Sequence, residues 1–238
     1  MRFSADLHIH SALSPCADDD MTPNNIVNMA ALKGLDIIAV TDHNSALNLE
    51  AVSACARGKG LIVVPGIEVE TREEVHLICL FPDVAAALCM QDIIYSNLPP
   101  IKNRENIFGC QLILNTDDEI SGYEERMLVT AADLSIEEVF MKVKSLGGAV
   151  IPAHIDRQSY SIISNLGMIP EELIGIRYLE LSKGCRREEL FARYPLLSGY
   201  EFMCSSDAHH LWDISEREFL MEMEELSVHC LLRQLNEG

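Results

Sequence analysis

The stretch Asp6-Leu7-His8-Ile9-His10 decides how this chain is interpreted. Its alternation of apolar and polar residues predicts an N-terminal β-strand. Residues two apart on a strand point to the same face, so His8 and His10 direct both imidazoles at one spot. Two converging imidazoles suit a metal ion better than they suit an apolar core.

Further candidate metal ligands recur downstream, each just after or within an apolar run. The residues predicted to hold metal together with His8 and His10 are Asp18, His43, Glu68, His76, His154, Asp207 and His209. Six of the eight histidines of the chain belong to this set. Histidines scattered for structural reasons would not follow strand after strand, so the pattern predicts a metal centre.

Apolar strand-like runs alternate with helical patterns over most of the chain. Thr22-Pro23 predicts the start of a helix that ends at Gly34. Ser135 and Glu138 form a capping box, which predicts the start of a second helix. The strands predicted after the first are Asp36–Val40, Leu61–Val64, Ala149–Ala153, Ile176–Leu181 and Phe202–Ser205, with a helix near Ala46–Ala56. This order predicts an α/β fold with a mostly parallel sheet, and about seven strands favour a small or distorted barrel.

The alternation breaks first between Glu70 and Val75, where the connection is too short for a parallel crossover. The segment is therefore predicted to be an antiparallel hairpin. For Glu68 and His76 to lie on the same face, the loop of this hairpin needs an odd number of residues, or one strand needs a bulge.

The second break is the segment 83–130, which is predicted to be an inserted cap near the pocket, whereas 1–82 and 131–238 form the barrel domain. Within the insertion, Leu112–Leu114 is expected to pair with Met127–Val129 around Asp117–Glu124, with a helical piece before them.

Composition limits the partners that we expect. The chain has 238 residues, 18 Lys+Arg, 37 Asp+Glu and a formal net charge of −19. Such an acidic surface favours small phosphorylated molecules, nucleotides or short oligonucleotides over duplex nucleic acid. Apolar runs such as Leu61–Val64 are too short to span a bilayer, and the eight cysteines form no CxxC pair. We therefore expect no membrane partner and a cytoplasmic location.

The motifs together resemble those of one family. They are His8-Ile9-His10, Thr41-Asp42-His43, Gly66-Ile67-Glu68, Val75-His76-Leu77, Pro152-Ala153-His154 and Ser206-Asp207-Ala208-His209. In this order they resemble the PHP (polymerase and histidinol phosphatase) family of metal-dependent phosphoesterases. The resemblance implies a distorted (β/α)7 TIM-like barrel with two or three divalent ions at the carboxyl ends of its strands.

The resemblance also implies a ligand set for each ion. One ion would take His8, His10, Glu68 and Asp207, a second would take Asp18, His43 and His209, and a third would take Glu68, His76 and His154. Because Asp19 and Asp20 are adjacent to Asp18, the choice of the acidic ligand among these three residues remains open. Imidazole and carboxylate ligands suit Zn, Mn or Fe, and the absence of a cysteine cluster argues against softer metals.

A metal-activated water attacking phosphorus is the chemistry that such a centre favours. Asp207, His209 and Arg157 are the candidate catalytic residues. Arg157, three residues after His154, is also the first choice as a phosphate clamp, and Lys183 is the second. Asp6 has two possible roles, to orient a ligand imidazole or to fix the start of the strand.

The leading hypothesis is a phosphoesterase that acts on a small phosphorylated metabolite or a nucleotide. The insertion resembles that of the branch with nucleotide phosphatases and short-RNA 5′ exonucleases, so a 5′-3′ exonuclease for short oligonucleotides is an alternative. Two others are an amidohydrolase, for which Lys183 is the one plausible bridging lysine, and a non-catalytic metal-binding regulatory module.

Overall fold

The computed structural model describes residues 1–171 and 173–237. Its strands are β1 (Arg2–Ile9), β2 (Ile37–Val40), β3 (Ile62–Glu70), β4 (His76–Leu80), β5 (Leu112–Leu114), β6 (Ile120–Tyr123), β7 (Ala149–Pro152), β8 (Tyr178–Leu181), β9 (Glu201–Cys204) and β10 (Leu220–Glu222). Its α-helices are α1 (Pro23–Leu32), α2 (Leu49–Cys55), α3 (Val84–Asn97), α4 (Glu105–Phe108), α5 (Ile136–Ser145), α6 (Ile162–Leu166), α7 (Arg187–Arg193) and α8 (Val228–Asn236). The fold is therefore mixed α/β, as predicted.

A curled six-stranded sheet in the order β10-β1-β2-β3-β4-β7 forms half a barrel. Strands β1, β2 and β3 run parallel, whereas β4 is antiparallel to both β3 and β7. Side chains alternate across this sheet, so Ile37 and Ala39 join one hydrophobic cluster while Ile38 and Val40 join the other. Helix α8 covers the first of these faces with Leu231 and Leu235.

A full (β/α)7 barrel is not confirmed. In the part of the chain that the structure describes, β8 and β9 form a separate parallel pair. This pair approaches β7 and β1 without a continuous strand ladder: the N–H of Ile155 donates to the Glu180 carbonyl, and Ile9 forms an isolated bridge with Ala208. The reason is local, because His154 and Asp207 adopt positive φ angles of 28° and 50°, which end the extended backbone there.

The hairpin predicted between Glu70 and Val75 is confirmed. Glu70 pairs with His76, so a five-residue loop connects β3 and β4, and Glu68 pairs with Ile78. Residues opposite each other, or two apart, share a face of the sheet. This odd loop places Glu68, Glu70 and His76 on one side.

Two predicted helix starts are also confirmed. The hydroxyl of Thr22 accepts from the N–H of Asn25, and Pro23 occupies the first turn of α1. Ser135 and Glu138 exchange both hydrogen bonds of a capping box at the start of α5.

Within 83–130, the helical piece is α3, whose Ala87, Met90 and Ile94 join the main hydrophobic core. The predicted partner of Leu112–Leu114 is wrong, because β5 pairs with Ile120–Tyr123 rather than with Met127–Val129. The side-chain oxygen of Asn115 accepts from the N–H groups of Asp117 and Glu119, which builds a tight turn and closes the hairpin early. Among the described helices, none has the length and apolar character to cross a bilayer.

Candidate metal centre

The carboxyl ends of several strands converge on one buried histidine-rich cluster. Strand β1 contributes His8, His10 follows directly after its last residue, and both are completely buried, while β3 contributes Glu68 at 1% exposure. The remaining members lie at the start of β4 or just after β2, β7 and β9, and they are His76, His43, His154, Asp207 and His209. The sheet register thus gathers residues that are far apart in sequence.

Glu68 lies at the centre of this cluster. Its carboxylate oxygens lie within 3.3 Å of five imidazole nitrogens, which belong to His8 (3.3 Å), His10 (3.3 Å), His43 (3.0 Å), His76 (2.9 Å) and His154 (3.3 Å). A carboxylate with two oxygens cannot satisfy five imidazoles by hydrogen bonds alone. The arrangement therefore resembles a bridging carboxylate of a polynuclear metal site.

Three sets of side chains each bring their ligand atoms within 4.8 Å of one another: His8-His10-Asp207, His10-His43-His209, and His43-Glu68-His76. Oδ1 of Asp207 lies 3.3 Å from Nε2 of His8 and 3.2 Å from Nε2 of His10. His154 adjoins the third set through Glu68. The structure therefore brings together every predicted metal ligand except Asp18.

Asp18 lies outside these sets. One of its carboxylate oxygens accepts from the N–H of Asp20, and the other lies 3.3 Å from Nδ1 of His210. The N–H of Asp18 in turn donates to the carbonyl of His209. Two residues earlier, the exposed Cys16 carries a thiol whose ionisation is influenced by the imidazoles of His43 and His209.

Burial and charge oppose each other in the cluster. Burial disfavours a charged His8, but the carboxylates of Glu180, Glu68 and Asp207 outweigh it and raise the pKa of His8. Burial likewise disfavours an ionised Glu68, but the surrounding imidazoles, above all that of His76, hold the pKa of Glu68 well below its ordinary value.

The Cys16 thiol experiences the same competition. Desolvation opposes its ionisation, but the imidazoles of His209 and His43 outweigh that effect and lower the pKa of Cys16 to about 5.

Two further residues, missed at the level of sequence, fix the imidazole rings. Oε2 of Glu180 lies 3.0 Å from Nδ1 of His8 and accepts from the N–H of His154. Oγ of Ser14 lies 2.9 Å from Nδ1 of His10. Such partners set ring orientation and basicity in metal sites. A buried glutamate inside the apolar strand β8 was the one available signal for Glu180.

Asp6 lies in the middle of β1 rather than at its start, and its contacts match neither of the two roles expected for it. Its carboxylate accepts from the N–H groups of Ser206 and Ser215, at 2.9 and 2.8 Å. Asp6 thereby anchors the segment that carries Asp207 and does not bind an imidazole directly.

The two predicted phosphate-binding cations lie in different surroundings. Nη2 of Arg157 lies 2.6 Å from Oδ2 of Asp207, and the Arg157 side chain is 44% exposed. Nζ of Lys183 donates to the carbonyl of Asp213. A cavity of about 580 Å³ opens beside Arg157 and is also lined by Arg186 and Arg193.

With this geometry in view, the comparisons identify the family. The model of the PHP domain family matches residues 6–133, which is more than half of the chain. The chain belongs to the PHP family. The resemblance drawn from the motifs is thus confirmed.

The PHP protein is similar to several named hydrolases. A 3′,5′-nucleoside bisphosphate phosphatase of Chromobacterium violaceum is 34% identical over 83 residues, which cover 34% of this chain and 28% of the relative. A 5′-3′ exoribonuclease of Haemophilus influenzae is 28% identical over 78 residues, which cover 32% of this chain and 27% of the relative. Both matches thus span less than a third of these relatives.

A solved structure similar to the PHP protein is the lesion-specific endonuclease Q of Pyrococcus furiosus. Its TM-score is 0.76 at 20% identity, and the comparison covers 100% of this chain and 57% of that one. Endonuclease Q has also been solved with a 27-mer duplex substrate, at a TM-score of 0.70. The expectation that duplex nucleic acid is excluded therefore has no support, although the likeness itself shows only the fold.

The residues of the cluster fit the metal that PHP domains require. Nδ1 of His43 and Oε2 of Glu68 lie 3.0 Å apart, yet among the described residues neither atom has a partner with hydrogen-bond geometry, and the same holds for the buried Nδ1 of His154. Buried polar atoms are rarely left in this state unless an ion or water satisfies them. Imidazole and carboxylate donors together suit first-row divalent metals.

Proposed function

We propose that the PHP protein is a metal-dependent phosphoesterase that hydrolyses a phosphate ester of a small phosphorylated metabolite or a nucleotide. The observation that carries the proposal is the central carboxylate of Glu68 among five imidazoles, directly beside Asp207 and its arginine partner. Structural roles alone do not explain so many converging metal-type donors in a buried site.

The proposed centre holds two or three divalent ions of Zn, Mn or Fe. His8, His10, Glu68 and Asp207 would hold one ion, His43 and His209 a second, and Glu68, His76 and His154 a third. When bound, such ions acidify a water and neutralise phosphoryl oxygens.

The protein side chains position the ester and handle protons. Arg157 is the proposed phosphate clamp, because its guanidinium is partly exposed and its orientation is fixed by Asp207. His209 lies at the rim with 26% of its side chain exposed, and its Nδ1 lies 2.8 Å from the carbonyl of Asp207. This contact fixes the ring and leaves Nε2 free to bind an ion or hold a proton.

The cavity beside Arg157 indicates the kind of substrate. It has room for a nucleotide, and Arg186 and Arg193 lie on its wall. One of these cations is partly neutralised, since Nη1 of Arg186 lies 3.1 Å from Glu189. Positive charge here would favour a substrate with a second anionic group despite the acidic surface of the protein.

The same cavity favours the second candidate, a 5′-3′ exonuclease for short oligonucleotides, since a strand could continue from Arg157 towards Arg193. We further propose that the 83–130 segment acts as a cap on a barrel domain of 1–82 and 131–238. In its support, the N–H of Leu112 donates to the carbonyl of Ala12 in the loop that follows β1.

The test combines elemental analysis with a substrate panel. Purified protein should carry two or three divalent ions per chain and hydrolyse an aryl phosphate, and a chelator should abolish this activity until metal is restored. Undiminished turnover after complete metal removal would contradict the proposal. The panel compares a mononucleotide, a 3′,5′-bisphosphate and a 5′-phosphorylated oligonucleotide, and a strong preference for the oligonucleotide would favour the exonuclease.

A further inference from the structure

The chain contains a single tryptophan, Trp212, and this large apolar residue is exposed. Its ring lies parallel to that of His210, with the ring centroids 4.6 Å apart and an angle of 5° between the ring planes. One face of the indole is covered by His210, and 69% of Trp212 is exposed, so the opposite face is open to solvent. We call this pair of rings the His210–Trp212 stack.

The backbone that carries Trp212 is held by two lysines. Trp212 belongs to a single 3-10 turn, Leu211–Asp213. Nζ of Lys33 donates to the carbonyl of Trp212 at 2.9 Å, and Nζ of Lys183 donates to the carbonyl of Asp213 at 3.0 Å. An aromatic group on a backbone that is already fixed loses little conformational entropy when a ligand binds to it.

The His210–Trp212 stack lies directly beside the metal centre. His210 is the residue after His209, whose imidazole belongs to the His10-His43-His209 set. Oδ2 of Asp18 lies 3.3 Å from Nδ1 of His210, and the N–H of Asp18 donates to the carbonyl of His209. These contacts place the stack at the rim of the proposed active site.

The stack is also connected to the cavity beside Arg157. The residue bound to the Trp212 turn, Lys183, is followed by Gly184, which lines that cavity together with Arg186. The open indole face and the arginine-lined cavity therefore border the same rim.

The charges around the stack favour an uncharged ring over a phosphate. The carboxylate of Asp18 lies beside His210, and Asp213 is an exposed residue next to Trp212. The ammonium of Lys183 offsets one of these two negative charges. Carboxylates repel a phosphate, but they do not repel a neutral aromatic ring.

We propose that the His210–Trp212 stack binds the nucleobase of a substrate whose phosphate lies at the metal centre. The proposal rests on the proposed function and deepens it, because it selects nucleotides among the small phosphorylated molecules. Every nucleobase has a π-face, so stacking alone predicts little preference among the four bases. The neutral base and the charged phosphate of one nucleotide would thus occupy two chemically different parts of the rim.

Tryptophan fluorescence tests the contact without a substitution. Because Trp212 is the only tryptophan of the chain, selective excitation of tryptophan reports on this residue alone. In the metal-loaded protein, the 5′-phosphonate analogue of AMP, which resists hydrolysis, should quench the emission saturably. Ribose 5-phosphonate, which lacks the base, should not. Equal quenching by the two compounds, or none by either, would contradict the proposal.

Kinetics provide a second readout at the same residue. Trp212→Leu should raise KM for AMP by about 5- to 100-fold, because stacking on an aromatic side chain contributes that much affinity per base. It should leave KM for ribose 5-phosphate and the metal content unchanged, and Trp212→Phe should retain most of the affinity for AMP. Met141→Ala is the matched control, since Met141 is a 66% exposed apolar residue on α5 and should affect neither substrate.

The outcomes separate this inference from the proposed function. A protein that hydrolyses phosphate esters, but whose tryptophan emission and Trp212→Leu kinetics are indifferent to the base, would overturn the role of the stack and leave the phosphoesterase standing. Base-dependent quenching in a protein that binds no divalent ion and hydrolyses no phosphate ester would support base binding and overturn the proposed function.

Discussion

The two sides of the metal centre are built differently. The interior side consists of residues on strands, His8, His10 and Glu68, all at most 1% exposed. The rim consists of residues on loops after strands, where the side chains of Asp207, His209 and Arg157 are 10%, 26% and 44% exposed. Strand register fixes the interior rigidly, whereas the rim is open to a substrate. This contrast agrees with the proposal that the interior side chains bind metal and the rim side chains bind the phosphate ester.

The largest effect is expected from the interior. Glu68→Ala removes the carboxylate shared by five imidazoles, so metal should be lost and hydrolysis should fall by about three orders of magnitude. Elemental analysis and phosphatase assays measure both, and circular dichroism verifies that the variant folds. Retention of the full metal content would mean that Glu68 does not bridge the ions.

An indirect change to the interior should cost less. Glu180→Gln weakens the interaction that orients His8, and metal affinity should drop by about 10- to 100-fold. Competition with a chromogenic chelator measures the affinity. Glu222→Gln, on the exposed β10, is the matched control and should leave it unchanged. Equal metal affinities of the two variants would show that Glu180 does not help to orient the metal-binding side chains.

A change at the rim should separate substrate handling from metal binding. Arg157→Ala should lower kcat/KM by about tenfold to a hundredfold, because a charge-assisted contact contributes about 1.5–3 kcal/mol. Its metal content should equal that of the wild type. Lys183→Ala provides the comparison, since its ammonium is bound to the Asp213 carbonyl. A larger loss of kcat/KM in Lys183→Ala than in Arg157→Ala would identify Lys183, and not Arg157, as the main phosphate-binding residue.

Gly109 lies close to Pro15 in the loop between β1 and α1, so a substitution at this glycine tests how tightly that loop is packed. Gly109 has a φ of 93°, and a Cβ there would lie 2.5 Å from the carbonyl oxygen of Pro15, next to Cys16. Gly109→Ala should therefore lower the free energy of unfolding by about 1–3 kcal/mol in urea titrations. In the same segment, a Cβ at Gly122 meets only the Ile113 side chain at 3.6 Å, so Gly122→Ala should cost clearly less.

The smallest effect concerns Asp36, which lies directly before β2, at the opposite end of that strand from His43. Partial burial opposes its ionisation, but hydrogen bonds from Ser4 and the guanidinium of Arg217 outweigh it and lower the pKa of Asp36. A lowered pKa in the folded state stabilises the protein above the ordinary carboxyl pKa, and this contribution is lost as pH falls through the lowered value.

Asp36→Asn should accordingly cost about 1 kcal/mol at neutral pH. The difference from wild type should shrink below about pH 4. Urea titrations at several pH values measure it. A difference that stayed constant down to acid pH would show that the charge of Asp36 contributes nothing.

The sequence predicted features whose cause is local. The two-residue period placed His8 and His10 on one face, the short link after Glu70 required a hairpin, and the Ser135 capping box started a helix. Each depends on neighbours within a few residues.

The features that the sequence did not predict depend on distant partners. The path of the loop that carries Cys16 and Asp18 is set by distant partners, since Ser14 binds Asp42 and the N–H of Asp18 binds the carbonyl of His209. Strand β10 is three residues long and has no pattern of its own. The continuous barrel is interrupted where His154 and Asp207, two of the predicted metal ligands, leave the extended conformation.

The pairing of β10 with β1 has a consequence for the order of folding. Residues 2–4 pair with residues 220–222, so the strand that carries His8 takes its outer neighbour from a segment far away along the chain. Closing a connection of this length is slow, because long-range contacts are entropically expensive to form. We therefore expect the outer edge of β1 to be covered late in folding, after its pairing with β2.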